Sequence, residues 1–210
     1  MPTYKLIYFN LTARAEWIRR IFAQAAVPYE DYRLPFQEWP AMKPTTPFGC
    51  LPILEVDGKP IAGSTPIARY LAEKHGLAGS NDFENAELAG INDVLQDIQV
   101  ALPKLFFEKD ETRKAALQKE FLEKTAPKYL DILEKRIKAN GSPEGWIYGS
   151  KVTYIDLRIP RVIDMIKKMD PPIQFLDNYP AVSRLQSAVL ALPNIAKWLT
   201  ERPEPERESF

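Results

Sequence analysis

Hydrophobic and polar positions change rhythm along this chain, and each change marks a different kind of element. Leu6 to Phe9 is a short apolar run of strand length. From Ala13 to Ala26, Ile18, Ile21, Phe22 and Ala25 recur at helical spacing, with Glu16 in the first turn. Tyr29 to Arg33 reads as a second strand of mixed polarity, and the proline-rich segment Pro35 to Pro47 reads as loop. A second apolar run, Leu51 to Val56, opens with Pro52 and meets Asp57-Gly58, a hairpin turn signal because both central residues need φ > 0. After another short run, Gly63-Ser64 leads into a helical pattern with Ile67, Ala68 and Leu71. Ser64 suits an N-cap, and Pro66 falls in the first turn, where its missing donor costs little. The order is βαβ followed by ββα.

The pattern then shifts. Residues 76–84 (GLAGSNDFE) have linker composition, and beyond them the period is almost entirely helical. Leu88, Ile91, Leu95, Ile98 and Leu102 mark one helix over 85–107. Leu117, Phe121, Tyr129, Leu130, Leu133 and Ile137 mark another over 111–139, with Pro127 predicting a kink and Asn140-Gly141 a stop. Thr153 to Asp156 resembles a capping box ahead of a helix over 157–169. Two shorter helices follow around 182–190 and 194–200, and a polar, proline-bearing tail closes the chain. The expected division is an α/β domain over 1–76, a linker over 77–84 and an all-helical domain over 85–210.

Composition narrows the function classes. The 210 residues carry 28 basic and 28 acidic side chains, so there is no electrostatic footprint for nucleic acid. No apolar stretch approaches the ~20 residues needed to span a bilayer, and the N-terminus lacks a signal-peptide layout, so a cytoplasmic location is expected. A single cysteine allows no internal disulfide, and a single histidine argues against a His-based metal site. A strand edge beside a helix N-terminus, as Leu51 to Ser64 offers, is a cradle for a small molecule with peptide-like and anionic groups.

The segments YFNLTARAEWIRRIF, EDYR, WPAMKPTTPFG, LPILEVDGKPI, IARYLAEKHGLAG and GSKVTYIDL run through the chain in order. They resemble the cytosolic glutathione transferases, and within them the sigma class, which includes prostaglandin D synthases and S-crystallins. The resemblance implies a thioredoxin-like N-terminal domain followed by an all-α domain, with glutathione as co-substrate, no metal and a homodimeric assembly. Carried onto this sequence, it implies that Tyr8 hydrogen-bonds the glutathione sulfur, with Arg14 nearby. Trp39 and Lys43 would meet the glycine carboxylate, and Leu51, before a cis Pro52, would pair its backbone with the cysteinyl part. Gly63 and Ser64 would flank the γ-glutamyl carboxylate, and Asp97 of a partner subunit would approach the γ-glutamyl amine. Leu11, Ala13, Lys104, Arg158 and Val162 would line the electrophile pocket.

The implied chemistry is coherent. A thiol of pKa ~8.5 is only a few per cent thiolate at neutral pH, and the thiolate is the nucleophile. Lowering that pKa by ~2 units takes roughly 2.7 kcal/mol. A phenol donor helped by a cation is of that order, because charge-assisted hydrogen bonds are worth ~1.5–3 kcal/mol. Conjugation of glutathione to small hydrophobic electrophiles, with weak peroxidase or isomerase activity, is the expected function. A low-turnover binding protein and a crystallin-like structural relative are the alternatives. Gly63 departs from the family pattern, which has glutamine there, and Gln96 stands where vertebrate prostaglandin D synthases have an acid. Lys104 and Arg158 replace aromatics of those synthases and predict a more polar pocket. Cys50 reads as a packing residue, since no cysteine lies at the head of the first helix, and His75 as a solvated residue at a helix end.

Overall fold

A computed structural model of the protein describes residues 2–106, 108–169 and 175–206. The chain divides into two compact units, Met1–Ala78 with Pro193–Ser209, and Gly79–Leu192. The first unit is built on a four-stranded sheet in the order β2-β1-β3-β4. Strand β1 (Tyr4–Phe9) pairs parallel with β2 (Glu30–Leu34) through helix α1 (Ala13–Ala25), the right arrangement for a β-strand crossover. Strand β3 (Ile53–Val56) runs antiparallel to both β1 and β4 (Lys59–Ala62). Asp57 (φ 49°) and Gly58 (φ 78°) make the turn between β3 and β4, as the Asp-Gly pair predicts.

Strand alternation gives the sheet two buried faces. Leu6 and Leu54 are fully buried, as are Ile18, Ile21 and Phe22 of α1 and Ile67 and Leu71 of α3 (Ser64–Lys74). On the other face Ile7, Leu34, Ile53 and Ala62 form a cluster against which Phe9, Trp39, Met42 and Leu51 pack. The segment read as loop over 35–47 is instead mostly helical: 3₁₀ turns at Phe36–Glu38 and Lys43–Thr45 flank the short helix α2 (Trp39–Met42). Pro40 and Pro44 sit in first-turn positions, where a missing N–H is no obstacle, so prolines here start helical turns.

The second unit is helical. Helix α4 (Asp82–Phe106) begins inside the segment read as linker, because Asn81 Oδ1 accepts from the Glu84 N–H and caps it. Leu88, Leu95, Ile98 and Leu102 form its buried stripe. Helix α5 (Glu111–Glu120) and helix α6 (Ala126–Asn140) join through a π turn, Phe121–Thr125. Pro127 has no N–H for the carbonyl four residues back. The widened turn, with the Ala126 N–H on the Phe121 carbonyl, is how the helix carries it. Helix α7 (Ile159–Lys167) starts two residues later than its pattern predicts, after turns over 154–158, and α8 (Pro180–Leu190) begins on the buried Glu134 carboxylate, which accepts from the Ala181 and Val182 N–H groups.

The final helix, α9 (Pro193–Glu201), belongs to the first unit, so the helical unit ends at Leu192 and not at the chain terminus. The physical reason is one buried acid. Glu16 of α1 is 0% exposed and accepts from Trp198 Nε1 at 3.0 Å and Arg202 Nη1 at 2.6 Å. Asn194 adds a bond to the Gln24 carbonyl at 3.3 Å. Burial of a carboxylate is tolerated because it is paired, and the pairing residues lie in the C-terminal segment.

Candidate functional site

The register of the sheet brings the candidate residues of the first unit into a row. Ile7 lies opposite Ile53, and Ile53 opposite Ala62. One residue further along the same register, Tyr8, Pro52 and Gly63 come abreast, and the Gly63 N–H donates to the Pro52 carbonyl at 2.9 Å. Leu51, joined to Pro52 by a cis peptide, thus lies beyond the paired part of β3, while the Pro52 carbonyl is taken by Gly63. At this same end, the chain leaves β4 through Gly63 and enters α3.

Tyr8 follows Tyr4 and Leu6 on the face covered by α1 and α3 and is 7% exposed. Arg14 is half-buried in the first turn of α1. Trp39 packs edge-on against Phe9 with ring centroids 6.0 Å apart, so α2 is seated on the sheet face that carries Ile7 and Ile53. Lys43, one turn on, is exposed. Cys50 is free and half-buried in the loop that leads to Leu51.

Ser64 is not the N-cap of α3. Gly63 holds that position at φ 95° and ψ 139°, its carbonyl takes the first helical bond from Ile67, and Ser64 is the first helical residue, 6% exposed. Ser64 therefore has a hydroxyl beside a helix N-terminus without the duty of capping it. The early N–H groups of α3 and its dipole favour an anion at this end.

The residues read in the second unit fare differently. Asp97 is exposed on α4 and accepts from the Tyr129 hydroxyl of α6 at 3.2 Å. Burial and the neighbouring carboxylate hold the Tyr129 phenol above its usual pKa, so it stays a donor. Lys104 is exposed near the end of α4, and Val162 is buried in α7. Arg158 is 2% exposed, and its guanidinium donates to Asn92, to Gln96 at 2.8 Å and to Gln99 at 2.6 Å. Its guanidinium is turned inward onto the amides of α4. Leu11 and Ala13 are half-buried in the first unit.

Three residues that sequence reasoning did not single out hold the loop between Tyr8 and Arg14. Arg19 Nη1 donates to the Leu11 carbonyl at 2.6 Å, Arg33 Nη1 donates to Asn10 Oδ1, and Asn10 Nδ2 donates to the Glu204 carbonyl at 3.2 Å. Nothing in the sequence marks them, since their partners are up to 194 residues away. Among the described residues, no group of three or more His, Cys, Asp or Glu side chains is arranged to hold a metal ion.

Comparison with known proteins accords with this geometry. Residues 4–80 match the family model for the glutathione S-transferase N-terminal domain, and residues 96–202 the model for its C-terminal domain. The chain is 39% identical over 209 residues to glutathione S-transferase 1 of Ascaris suum, covering 97% of this chain and 98% of that one. It is 38% identical over 204 residues to mouse (Mus musculus) hematopoietic prostaglandin D synthase, with the same coverage of 97% and 98%. Among solved structures, monomeric Na-GST-3 of the hookworm Necator americanus superposes with a TM-score of 0.88 at 34% identity, over 98% of this chain and 100% of that one.

Proposed function

We propose, for a chain that belongs to the glutathione S-transferase family, that the sheet end holding Tyr8, Leu51 and Ser64 binds glutathione and activates its thiol. The observation that carries this is the register that sets Tyr8, Pro52 and Gly63 abreast. It gathers a phenol donor, the end of a strand and a helix N-terminus within one small unit. In this reading the Leu51 backbone takes the cysteinyl unit, and Ser64 with the N–H groups of α3 takes the γ-glutamyl carboxylate. Trp39 and Lys43 meet the glycine carboxylate.

The Tyr8 hydroxyl donates to the sulfur and, with Arg14 near it, favours thiolate over thiol. The thiolate then attacks an electrophilic carbon. A C–S bond forms, the leaving group departs with its electron pair, and the thiol proton goes to solvent. The enzyme is assigned to the sigma class on the segments quoted above, and to the cytoplasm on the same resemblance. Formation of prostaglandin D, as in the mouse relative, is a second reading. What supports it is the inward position of Arg158, whose guanidinium is engaged by the amides of α4.

The assembly proposed is a homodimer. Between α4 and α6 runs a groove of ≈ 200 Å³ lined by Gly90, Ile91, Val94, Ile132 and Leu133, with Glu87 and Arg136 at its rim. Ile132 is 43% exposed, and Asp97 continues the stripe of Gly90 and Val94 along α4. A second copy seated there would bring Asp97 to the interface.

The deciding experiment is Tyr8→Phe in a conjugation assay with a chromogenic aryl halide. A 10- to 100-fold loss near neutral pH is expected, roughly 1.4–2.7 kcal/mol of thiolate stabilisation, together with a raised titration midpoint of the bound thiol. An unchanged midpoint removes Tyr8 from the mechanism. No turnover by the wild type despite glutathione binding would favour the low-turnover binding protein, and no binding at all the structural relative.

A further inference from the structure

We infer that the C-terminal segment 202–206 is a positioning strap for the thiol-activating end of β1, acting through Asn10. This rests on the reading of Tyr8 as the group that stabilises the thiolate. The loop from Phe9 to Arg14 joins the two residues assigned to the sulfur, and its conformation is unusual. The Leu11 N–H folds back on the Phe9 carbonyl at 2.7 Å, and Ala13 sits at φ 26°, a region that a residue with a Cβ rarely adopts. Strained backbone of this kind persists only where surrounding structure over-determines it.

Part of that determination comes from the far end of the chain. The Glu206 N–H donates to the Asn10 carbonyl at 3.1 Å, and Asn10 Nδ2 donates to the Glu204 carbonyl at 3.2 Å. The strap is anchored just before these contacts, where Arg202 reaches the buried Glu16 at 2.6 Å. Asn10 lies two residues after Tyr8 and four before Arg14, and Arg33 holds its Oδ1 from β2. A shift of this loop therefore moves the phenol and the guanidinium relative to each other, which bears on thiolate stabilisation more than on the glutathione carboxylates. A catalytic group misplaced by a fraction of an ångström loses rate without losing ground-state binding.

The test uses the full chain, the Glu206→Pro variant and a chain ending at Glu201, with Tyr8→Phe as reference. Glu206→Pro deletes one strap donor at an exposed position that follows Pro205, so folding of the unit does not depend on it. The readouts are the pH midpoint of the thiolate absorbance of bound glutathione, and kcat and KM for glutathione with an aryl halide. The shortened chain should raise the midpoint by about 0.3–1 unit and lower kcat near neutral pH roughly 2- to 10-fold, the loss fading at high pH. KM for glutathione should stay within about 2-fold. Glu206→Pro should move the midpoint in the same direction by less. If Tyr8→Phe shifts the midpoint and neither strap variant does, the segment is only packing and the inference is wrong, even if the shortened chain melts earlier. If the shortened chain fails to fold, Glu206→Pro alone decides. If Tyr8→Phe leaves the midpoint unmoved, the Tyr8 reading fails first and takes the strap with it.

Discussion

Gly63 shows what a single residue can decide in this protein. Its φ of 95° with ψ of 139° lies where residues with a Cβ pay about 1–3 kcal/mol, although an added Cβ would meet Pro66 Cδ and Cγ at an ordinary 3.5 and 3.8 Å. The cost of a side chain here is thus conformational and not steric. The resemblance puts glutamine at this position in relatives, so the glycine here gives up a side-chain contact in exchange for an unstrained entry to α3. Gly63→Gln should lower the stability of the apo protein by about 1–3 kcal/mol, measured by urea unfolding. Calorimetric titration should show whether the restored side chain tightens glutathione by the roughly 2- to 10-fold that one neutral hydrogen bond provides. A variant as stable as the wild type would show that the turn tolerates a side chain at this φ.

At the scale of an element, the entry to α7 is organised by Asp156. Its buried carboxylate accepts from the Thr153 N–H and hydroxyl at 2.7 Å each and from the Ile147 N–H at 2.8 Å. The bond from the Thr153 N–H is the carboxylate half of the capping box that Thr153 to Asp156 predicts, the Thr153 hydroxyl donates to the same carboxylate, and the third bond ties the segment to the preceding loop. Burial outweighs these donors and pushes the carboxyl up to about 6. The folded chain therefore holds this proton more tightly than the unfolded chain, where an aspartate titrates near ~3.9. The resulting stabilisation is fully present below about pH 4 and is lost as pH rises through about 6. Urea midpoints of wild type and Asp156→Asn, compared from pH 4 to 7, should show the wild type's relative stability falling with pH and levelling off above that value. A difference independent of pH would mean that Asp156 stays charged throughout.

For the whole molecule the open quantity is assembly. The groove between α4 and α6 and the exposed Ile132 leave apolar surface on the helical unit, and one solved relative, Na-GST-3, is monomeric. Sedimentation should give about twice the 24.0 kDa chain mass for the wild type. Ile132→Glu, which places a charge in the groove, should shift the species toward monomer and weaken glutathione binding if Asp97 serves the partner's site. A monomeric wild type with full activity would withdraw both the dimer and the role of Asp97.

Much of this was readable in the chain itself, for a physical reason: the signals were local. Alternating and helical periodicities, the Asp57-Gly58 turn and the capping box act over a few residues, and the strands, the hairpin and α1, α3 and α8 follow from them. The cradle from Leu51 to Ser64 was also legible, because pairing of β3 with β4 through a short turn sets its register directly, whereas Tyr8 was pointed to by the family resemblance. What tertiary structure decided lay in long-range pairing of buried polar groups. Arg158 reads as a polar residue of the electrophile pocket, and only the fold shows its guanidinium held by Asn92, Gln96 and Gln99 of α4. Nor does the sequence show where the C-terminal segment attaches, which Glu16 decides by holding Trp198 of α9 and Arg202 at the start of the tail. Buried charges must find partners wherever the fold supplies them, and no local pattern announces which segment that will be.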